Sequence, residues 1–327
     1  MTGILLLIMF WNMENFFDWK DEGQGSADAE WSPRGARHWT FGRFRKKCEA
    51  AAKTIFLLSE EAGGLPDVVC LSEVENRRVL NGLVHHTLLE KCGYGIIHYD
   101  SPDRRGIDVA MLYRKETLRL LGSRAVRFGG DSLRTRDILL AQFALQDGRR
   151  LAVAANHHPS KYGGGGSSWK RKAALDALGA LRDSLSAAGD SLFVACGDFN
   201  DAASDSLYIR FAGRHALHHP GEGMARQGRG TIRFEGRWEL IDFFMYDAHM
   251  EATMKIGALP GLLVRDNVHA GEKPFRTYSG PRYMGGISDH LPVLLEIKNI
   301  SYLYQDETKT VEKHEGKNSA EVQGTLW

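Results

Sequence analysis

The sequence predicts an α/β fold, a sheet-rich sandwich of strands flanked by helices, and three observations carry that expectation. Strand-like apolar runs outnumber the helical stretches. Many of those runs follow one another with no helix between them, which argues against a regular succession of βαβ units. No repeat or strong linker divides the 327 residues, so 1–299 reads as one large domain and 300–327, polar and charged, as an appendage or tail.

Composition is consistent with such a core. Hydrophobic residues make up 43% and charged residues 25%, the balance of a soluble globular protein. A net charge of +1 neither requires nor excludes a nucleic-acid partner. The four cysteines, Cys48, Cys70, Cys92 and Cys196, show no CxxC pair and no zinc-type spacing with histidine. Cys70 and Cys196 sit inside apolar runs and read as buried small residues.

The elements follow in order. Residues 4–10 are apolar but lack a basic segment before them and a small-residue cleavage site after them, so they read as a buried strand and not a signal peptide. They are too short to cross a membrane, and nothing else approaches spanning length. A soluble monomer is expected; the compartment stays open, with the cytoplasm favoured over secretion. Residues 18–39 form a long polar loop. Thr40 caps a helix in which Phe41, Phe44, Cys48, Ala51, Ile55 and Leu58 recur at helical spacing, with Arg43, Arg45, Lys46, Lys47 and Lys53 mostly off that stripe. Gly63, Gly64 and Pro66 close it. Strands are expected at 68–71, 95–99, 107–113, 138–145, 151–155 and 192–196, with 240–246 and 291–297 as the last two core strands. Helices are expected at 79–91 and 169–188.

The chemistry lies at the ends of the buried strands. They deliver Glu73, His157 or His158, Asp198 with Asn200, Asp242, and Asp289 with His290. An ionised group there costs several kcal/mol, roughly, unless paired or metal-bound, so convergence at one rim of the sandwich is expected. Acidic and amide oxygens favour magnesium or manganese over zinc. Asp198 and Asn200 are two apart and point the same way on extended backbone, whereas His157 and His158 point to opposite faces. An Asp242–His290 pair would orient the imidazole and raise its basicity.

In chain order these segments are WNMEN, SEVEN, RRGIDVAMLYR, NHHPS, GDFND, WELIDFF and SDHLP. Together they resemble the endonuclease/exonuclease/phosphatase superfamily across most of residues 4–298, with a poorly characterised bacterial-type branch as the nearest pattern. The resemblance implies a four-layer sandwich of two packed, mainly antiparallel sheets. It implies metal ligation by Asn12 and Glu73, with Asp289 as a further acidic group at the metal. It implies that His290 acts on the scissile phosphate, oriented by Asp242, while Asp198 activates water, Asn200 contacts phosphate, and His157 lies close by. The activity implied is metal-dependent hydrolysis of a phosphate ester, by a phosphodiesterase or nuclease. A phosphomonoesterase, or an inactive binding protein on the same fold, are the alternatives.

Blander readings stand beside these. Arg105, Arg136, Lys161 and Arg171 serve either as phosphate contacts or as ordinary ion pairs. Asp108 reads as a structural hydrogen-bonder, and Glu75, Asn76 and Asp201 as turn residues. The glycines at 163–166 lack the order of a Walker loop and suit a flexible lip beside the site. The basic aromatic stretch at 31–47 fits a solvated face better than a nucleic-acid track.

Overall fold

The first strand shows how the sequence builds two cores at once. In the computed structural model, which describes residues 6–23, 27–130, 133–161, 168–188 and 192–300, β1 (Leu6–Phe16) is buried along nearly its whole length. Alternate side chains of a strand face opposite ways. Leu6, Ile8 and Phe10 therefore join the core between the two sheets. Leu7, Met9 and Trp11 join an outer core under the first helix.

That helix is α1 (Phe41–Ala62), which begins where Thr40 accepts a hydrogen bond from the Arg43 backbone N–H and ends at Gly63, left-handed with φ 79°. There follow β2 (Val68–Val74), α2 (Arg77–His85), β3 (Tyr94–His98) and β4 (Asp108–Arg114). Next come β5 (Arg119–Val126), β6 (Ile138–Ala144), β7 (Arg150–His157), α3 (Ser168–Ala187) and β8 (Leu192–Asp198). After α4 (Ser206–Arg214), β9 (Leu217–His218) and α5 (Gly221–Arg226), a hairpin of β10 (Ile232–Phe234) and β11 (Arg237–Glu239) leads to β12 (Asp242–Asp247). Then β13 (Met250–Ile256) precedes two small hairpins, β14 (Leu263–Arg265) with β15 (Glu272–Pro274) and β16 (Tyr278–Ser279) with β17 (Arg282–Tyr283). β18 (Val293–Ile300) ends the described chain.

Two six-stranded sheets result, ordered β13-β18-β1-β2-β4-β3 and β5-β6-β7-β8-β12-β9. Each is mixed, with one parallel pairing, β1 with β2 in the first and β7 with β8 in the second. A parallel neighbour needs a long crossover. Helices α1 and α3 supply it and lie in those two connections. The expected α/β sandwich is the observed fold.

Several details differ from expectation. The helix expected at 79–91 is two pieces, α2 and a 3-10 turn over Leu88–Cys92 that Thr87 caps. Strands β5 and β13 were not anticipated, so β12 and β18 are not consecutive core strands. The basic aromatic stretch is not a solvated face: Trp31, Trp39 and Lys47 are buried. Arg37 lies over the rings of Trp31 and Tyr278, and Arg43 over Tyr283. The glycines at 163–166 and the tail from 301 lie outside the described residues. Among the described residues no helix is long and apolar enough to cross a membrane.

Candidate active site

The backbone bends where the functional side chains leave it. Strand register shifts between Asn12 and Phe16 on β1 and between Ser72 and Val74 on β2. Such bulges re-aim side chains at sheet rims. The φ angles of Glu14 (44°), Asn15 (51°), Glu73 (61°) and Asn200 (52°) are all positive. L-residues held there are strained, by about 1–3 kcal/mol each, and such residues concentrate at functional sites. Gly197 opens the same corner, because a Cβ there would lie 2.4 Å from the Asn156 carbonyl oxygen.

A hydrogen-bonded chain crosses from one sheet to the other at this rim. Asn12 Nδ2, on β1, donates to Asp198 Oδ2, on β8, at 2.9 Å. The Asn200 backbone N–H donates to the other oxygen, Oδ1, at 2.9 Å. His290, just before β18, pairs through Nδ1 with Asp242 Oδ2 at 2.8 Å, and the Thr231 hydroxyl also donates to that oxygen. His290 Nε2 and His157 Nε2 stand 3.9 Å and 3.6 Å from Asp198 Oδ2. Neither gap is a direct hydrogen bond, and both nitrogens face that oxygen.

Burial and neighbours set the charges. Burial, reinforced by the Asp242 charge, pushes the Asp198 carboxyl up to about 7. Burial alone would neutralise His290, yet Asp242, Asp198 and Asp289 together raise its pKa well above the usual imidazole range. Burial and then the charges of Arg136 and Arg105 hold His157 well below that range. The site thus pairs one charged and one neutral histidine with a carboxyl that titrates near neutrality.

Beside this chain lies a set of carboxylates with cations built in. Glu73 accepts from the Asn15 N–H at 2.7 Å and from Arg105 at 3.0 Å. Burial works against its charge, but Arg105 and that N–H hold its pKa below the usual range. Arg276 joins Asp289 at 2.8 Å to Glu14 at 3.4 Å. Lys47 Nζ, fully enclosed, donates to the Glu14 carbonyl at 2.6 Å and the Thr277 hydroxyl at 3.0 Å. Burial lowers Lys47 to about 8 despite Glu14, and burial with the Asp289 charge raises Glu14 to about 7.

These oxygens suit a hard divalent cation. The side chains of Glu73 and Asp289 are 13% and 35% exposed, so each is open to solvent. Arg105 and Arg276 already place positive charge on them. Among the described residues, two groups bring three metal-ligating side chains within 4.8 Å of one another: Asp198 with Asp242 and His290, and His98 with Asp100 and Asp108. In the first group Asp242 and the His290 Nδ1 are already committed to each other. Asp108 accepts from the Ser101 N–H and pairs with His98, the structural role expected of it.

The remaining expected residues fall as follows. Asn200 Nδ2 donates to the His158 carbonyl, which also accepts from Arg136. Arg136 pairs in addition with Asp103. Lys161 and Arg171 both meet Asp201, a buried residue. Of the four basic candidates, Arg105 is therefore the one joined directly to a site carboxylate. His158 is packed edge-on against Phe199, and Asn76 caps α2. Glu75 is buried and accepts from the Asp18 N–H, so it is more than a turn residue. Sequence reasoning gave no site role to Glu14, Lys47, Arg276 or Thr231. Glu14 stood in view in WNMEN, and the others carry no local signal of their destination.

With this geometry in place, relatives are informative. A sequence profile described as Endonuclease/Exonuclease/phosphatase family matches residues 7–299. Nocturnin of Xenopus laevis is 23% identical over 254 residues, 71% of this chain and 60% of that protein, so the match spans less than two thirds of the relative. Among solved structures, Bacteroides thetaiotaomicron mannosyl-6-phosphatase superposes with a TM-score of 0.59 at 14% identity, covering 89% of this chain and 99% of the other. D. rerio TDP2 complexed with single-strand DNA product gives 0.52 at 16% identity, covering 90% and 99%. These likenesses establish the shared fold.

Proposed function

The chain belongs to the endonuclease/exonuclease/phosphatase family, and on that premise we propose that it is a divalent-metal-dependent phosphoesterase, a phosphodiesterase or nuclease, acting by in-line attack of water on phosphorus. One observation supports this above the rest: a carboxyl raised to about 7, Asp198, faces a histidine kept charged by its own carboxylate partner.

In this reading the attacking water sits beside Asp198 Oδ2, within reach of the two histidine Nε2 atoms. Asn12 and the Asn200 N–H hold both Asp198 oxygens, so the carboxylate is oriented to take the water's proton. His290, held positive by Asp242, lies against the negative charge that grows on the phosphate oxygens. His157 is neutral and can hydrogen-bond the same water without competing for the proton. Asn200 has a second amide hydrogen to offer a phosphate oxygen. Arg105 reaches the site from the Glu73 side, where it can bind a second oxygen. Magnesium or manganese held by Glu73 and Asp289, with Asn12 beside them, would neutralise phosphate charge and stabilise the leaving oxygen.

The test is hydrolysis of bis-p-nitrophenyl phosphate and p-nitrophenyl phosphate with magnesium, manganese or EDTA, for the wild type and Asp198→Ala. Metal-dependent release from the diester, lost in the variant, is the expected result. Preference for the monoester would move the assignment to a phosphatase, the activity named for the Bacteroides neighbour. Full activity in a folded Asp198→Ala protein would remove the mechanism.

A further inference from the structure

Arg105 stands on a backbone that other residues hold in place. Its own N–H donates to Asp103 Oδ1 at 2.9 Å, and the Gly106 N–H donates to the Asp103 carbonyl at 3.2 Å. An aspartate that accepts from the backbone two residues on makes a tight local turn. Arg136 holds the other Asp103 oxygen at 3.0 Å and also donates to the His158 carbonyl. The loop is therefore anchored at its base, and the Arg105 side chain, 47% exposed, is the part left to swing.

The guanidinium rests on an oxygen at the centre of the site. Arg105 Nη2 donates to Glu73 Oε1 at 3.0 Å, while the Asn15 N–H donates to Oε2 at 2.7 Å, so both Glu73 oxygens are engaged. Oε1 also lies 3.9 Å from His157 Nε2, which is itself 3.6 Å from Asp198 Oδ2. The guanidinium charge is felt at both His157 and Asp198. Arg105 is thus one side-chain swing from the place proposed for the phosphate. Asp289 is different. Arg276 takes its Oδ2, and its Oδ1 faces His290 Nε2 at 3.9 Å, too far for a hydrogen bond. An ion can reach Asp289 without displacing Arg276, whereas at Glu73 it meets Arg105.

We infer that Arg105 is exchanged between Glu73 and the substrate, leaving Glu73 to the divalent ion and closing on a phosphate oxygen. This presupposes the metal-dependent phosphoesterase reading and adds a coupling between its two ligands. A dication and a guanidinium on one carboxylate oxygen repel, so they compete for Oε1. Glu73 keeps a cationic partner throughout, because the ion replaces the guanidinium it gives up. The released guanidinium is a planar fork that matches two phosphate oxygens. A bound phosphate in turn draws the competitor away from Glu73, so each ligand tightens the other.

The experiment is calorimetric titration of manganese into the full chain, wild type and Arg105→Gln. It is run in about 1 M potassium chloride, where the screening length is about 3 Å and only a cation touching Glu73 still competes. Arg105→Gln should bind manganese about fivefold more tightly or better, the low end of ordinary coupling between sites. At saturating manganese the same variant should lose about tenfold or more in kcat/KM on bis-p-nitrophenyl phosphate, the worth of one charged hydrogen bond. Opposite signs in the two readouts are what an exchange requires. An arginine that only holds Glu73 in place would weaken both when removed. Manganese affinity unchanged or weaker in Arg105→Gln would overturn the exchange. Tighter manganese with unchanged kcat/KM would overturn the delivery to phosphate, leaving Arg105 a guard of Glu73 alone. An inert wild type points to failure of the phosphoesterase reading, whereas an active one whose manganese affinity ignores the substitution points to failure of this inference alone.

Discussion

The Asp242–His290 pair is the residue-scale device on which the proposed chemistry turns. Asp242→Asn keeps the shape of the contact and removes the charge, so the rate should fall by about 10²–10⁴-fold while the fold survives. The pH profile gives a sharper check. The rate needs Asp198 ionised, so it should rise through about 7 and then level off. It should fall again only where His290 loses its proton, well above the ordinary histidine range. In Asp242→Asn that alkaline edge should move to lower pH, and a profile with its edge unmoved would show that Asp242 does not hold the proton. The stability signs follow the same shifts. A raised His290 favours the fold below its unfolded value, and that benefit disappears as pH climbs through the folded value. A raised Asp198 costs stability as pH rises from its ordinary value of 3.8 to about 7, because the native state keeps a proton that the unfolded chain releases. Lys47 makes a separate point. It was read as a solvated lysine, yet it lies three residues after Phe44 and four before Ala51, which is on the apolar stripe of α1. Its type hid what its position signalled. Lys47→Ala leaves the buried Glu14 with Arg276 as its one remaining cation partner and orphans the Glu14 carbonyl, and urea denaturation should show a loss of about 3 kcal/mol.

At the scale of elements, the corner between β7 and β8 decides where Asp198 sits. Gly197 pairs in register with Asn156, and a Cβ on it would meet that residue's backbone oxygen at 2.4 Å and its Cβ at 2.7 Å. Neither atom belongs to a flexible side-chain end, so the strands must part. Gly197→Ala should therefore cost about 1–3 kcal/mol in thermal or urea unfolding and also lower activity by displacing Asp198. Wild-type stability and rate in that variant would mean the corner is softer than its packing implies. The same scale explains what the sequence showed and hid. β1, β2, β7 and β8 are buried on both faces and read as continuous apolar runs. β5 and β13 are edge strands with many exposed positions, so their apolar signal is thin. The short hairpins between residues 232 and 283 carry two or three residues per strand, too few for any periodicity. That is also why the fold and the site's main residues were legible while these hairpins were not.

At the scale of the whole molecule the site is a seam. Asn12 and Glu73 lie on strands of the sheet containing β1, and Asp289 and His290 on the loop that leads into its strand β18, whereas His157, Asp198 and Asp242 lie on strands of the sheet containing β8. Asn12 with Asp198, and His290 with Asp242, join the two across the rim. The carboxylates gathered there repel one another, and only part of that repulsion is offset by Arg105, Arg276 and Lys47. A divalent cation that binds the folded seam and not the unfolded chain must stabilise the whole domain by mass action. At a hundredfold over its dissociation constant the gain is about 2.7 kcal/mol. In a chain of 327 residues each kcal/mol moves the melting midpoint by about 1.5 °C, so saturating manganese should raise it by about 4 °C over EDTA. Glu73→Gln removes the charge that the ion needs while keeping an acceptor for the Asn15 N–H, and it should abolish most of the rise. A manganese shift of the same size in Glu73→Gln would place the ion elsewhere, and the group of His98, Asp100 and Asp108 would be the next to substitute.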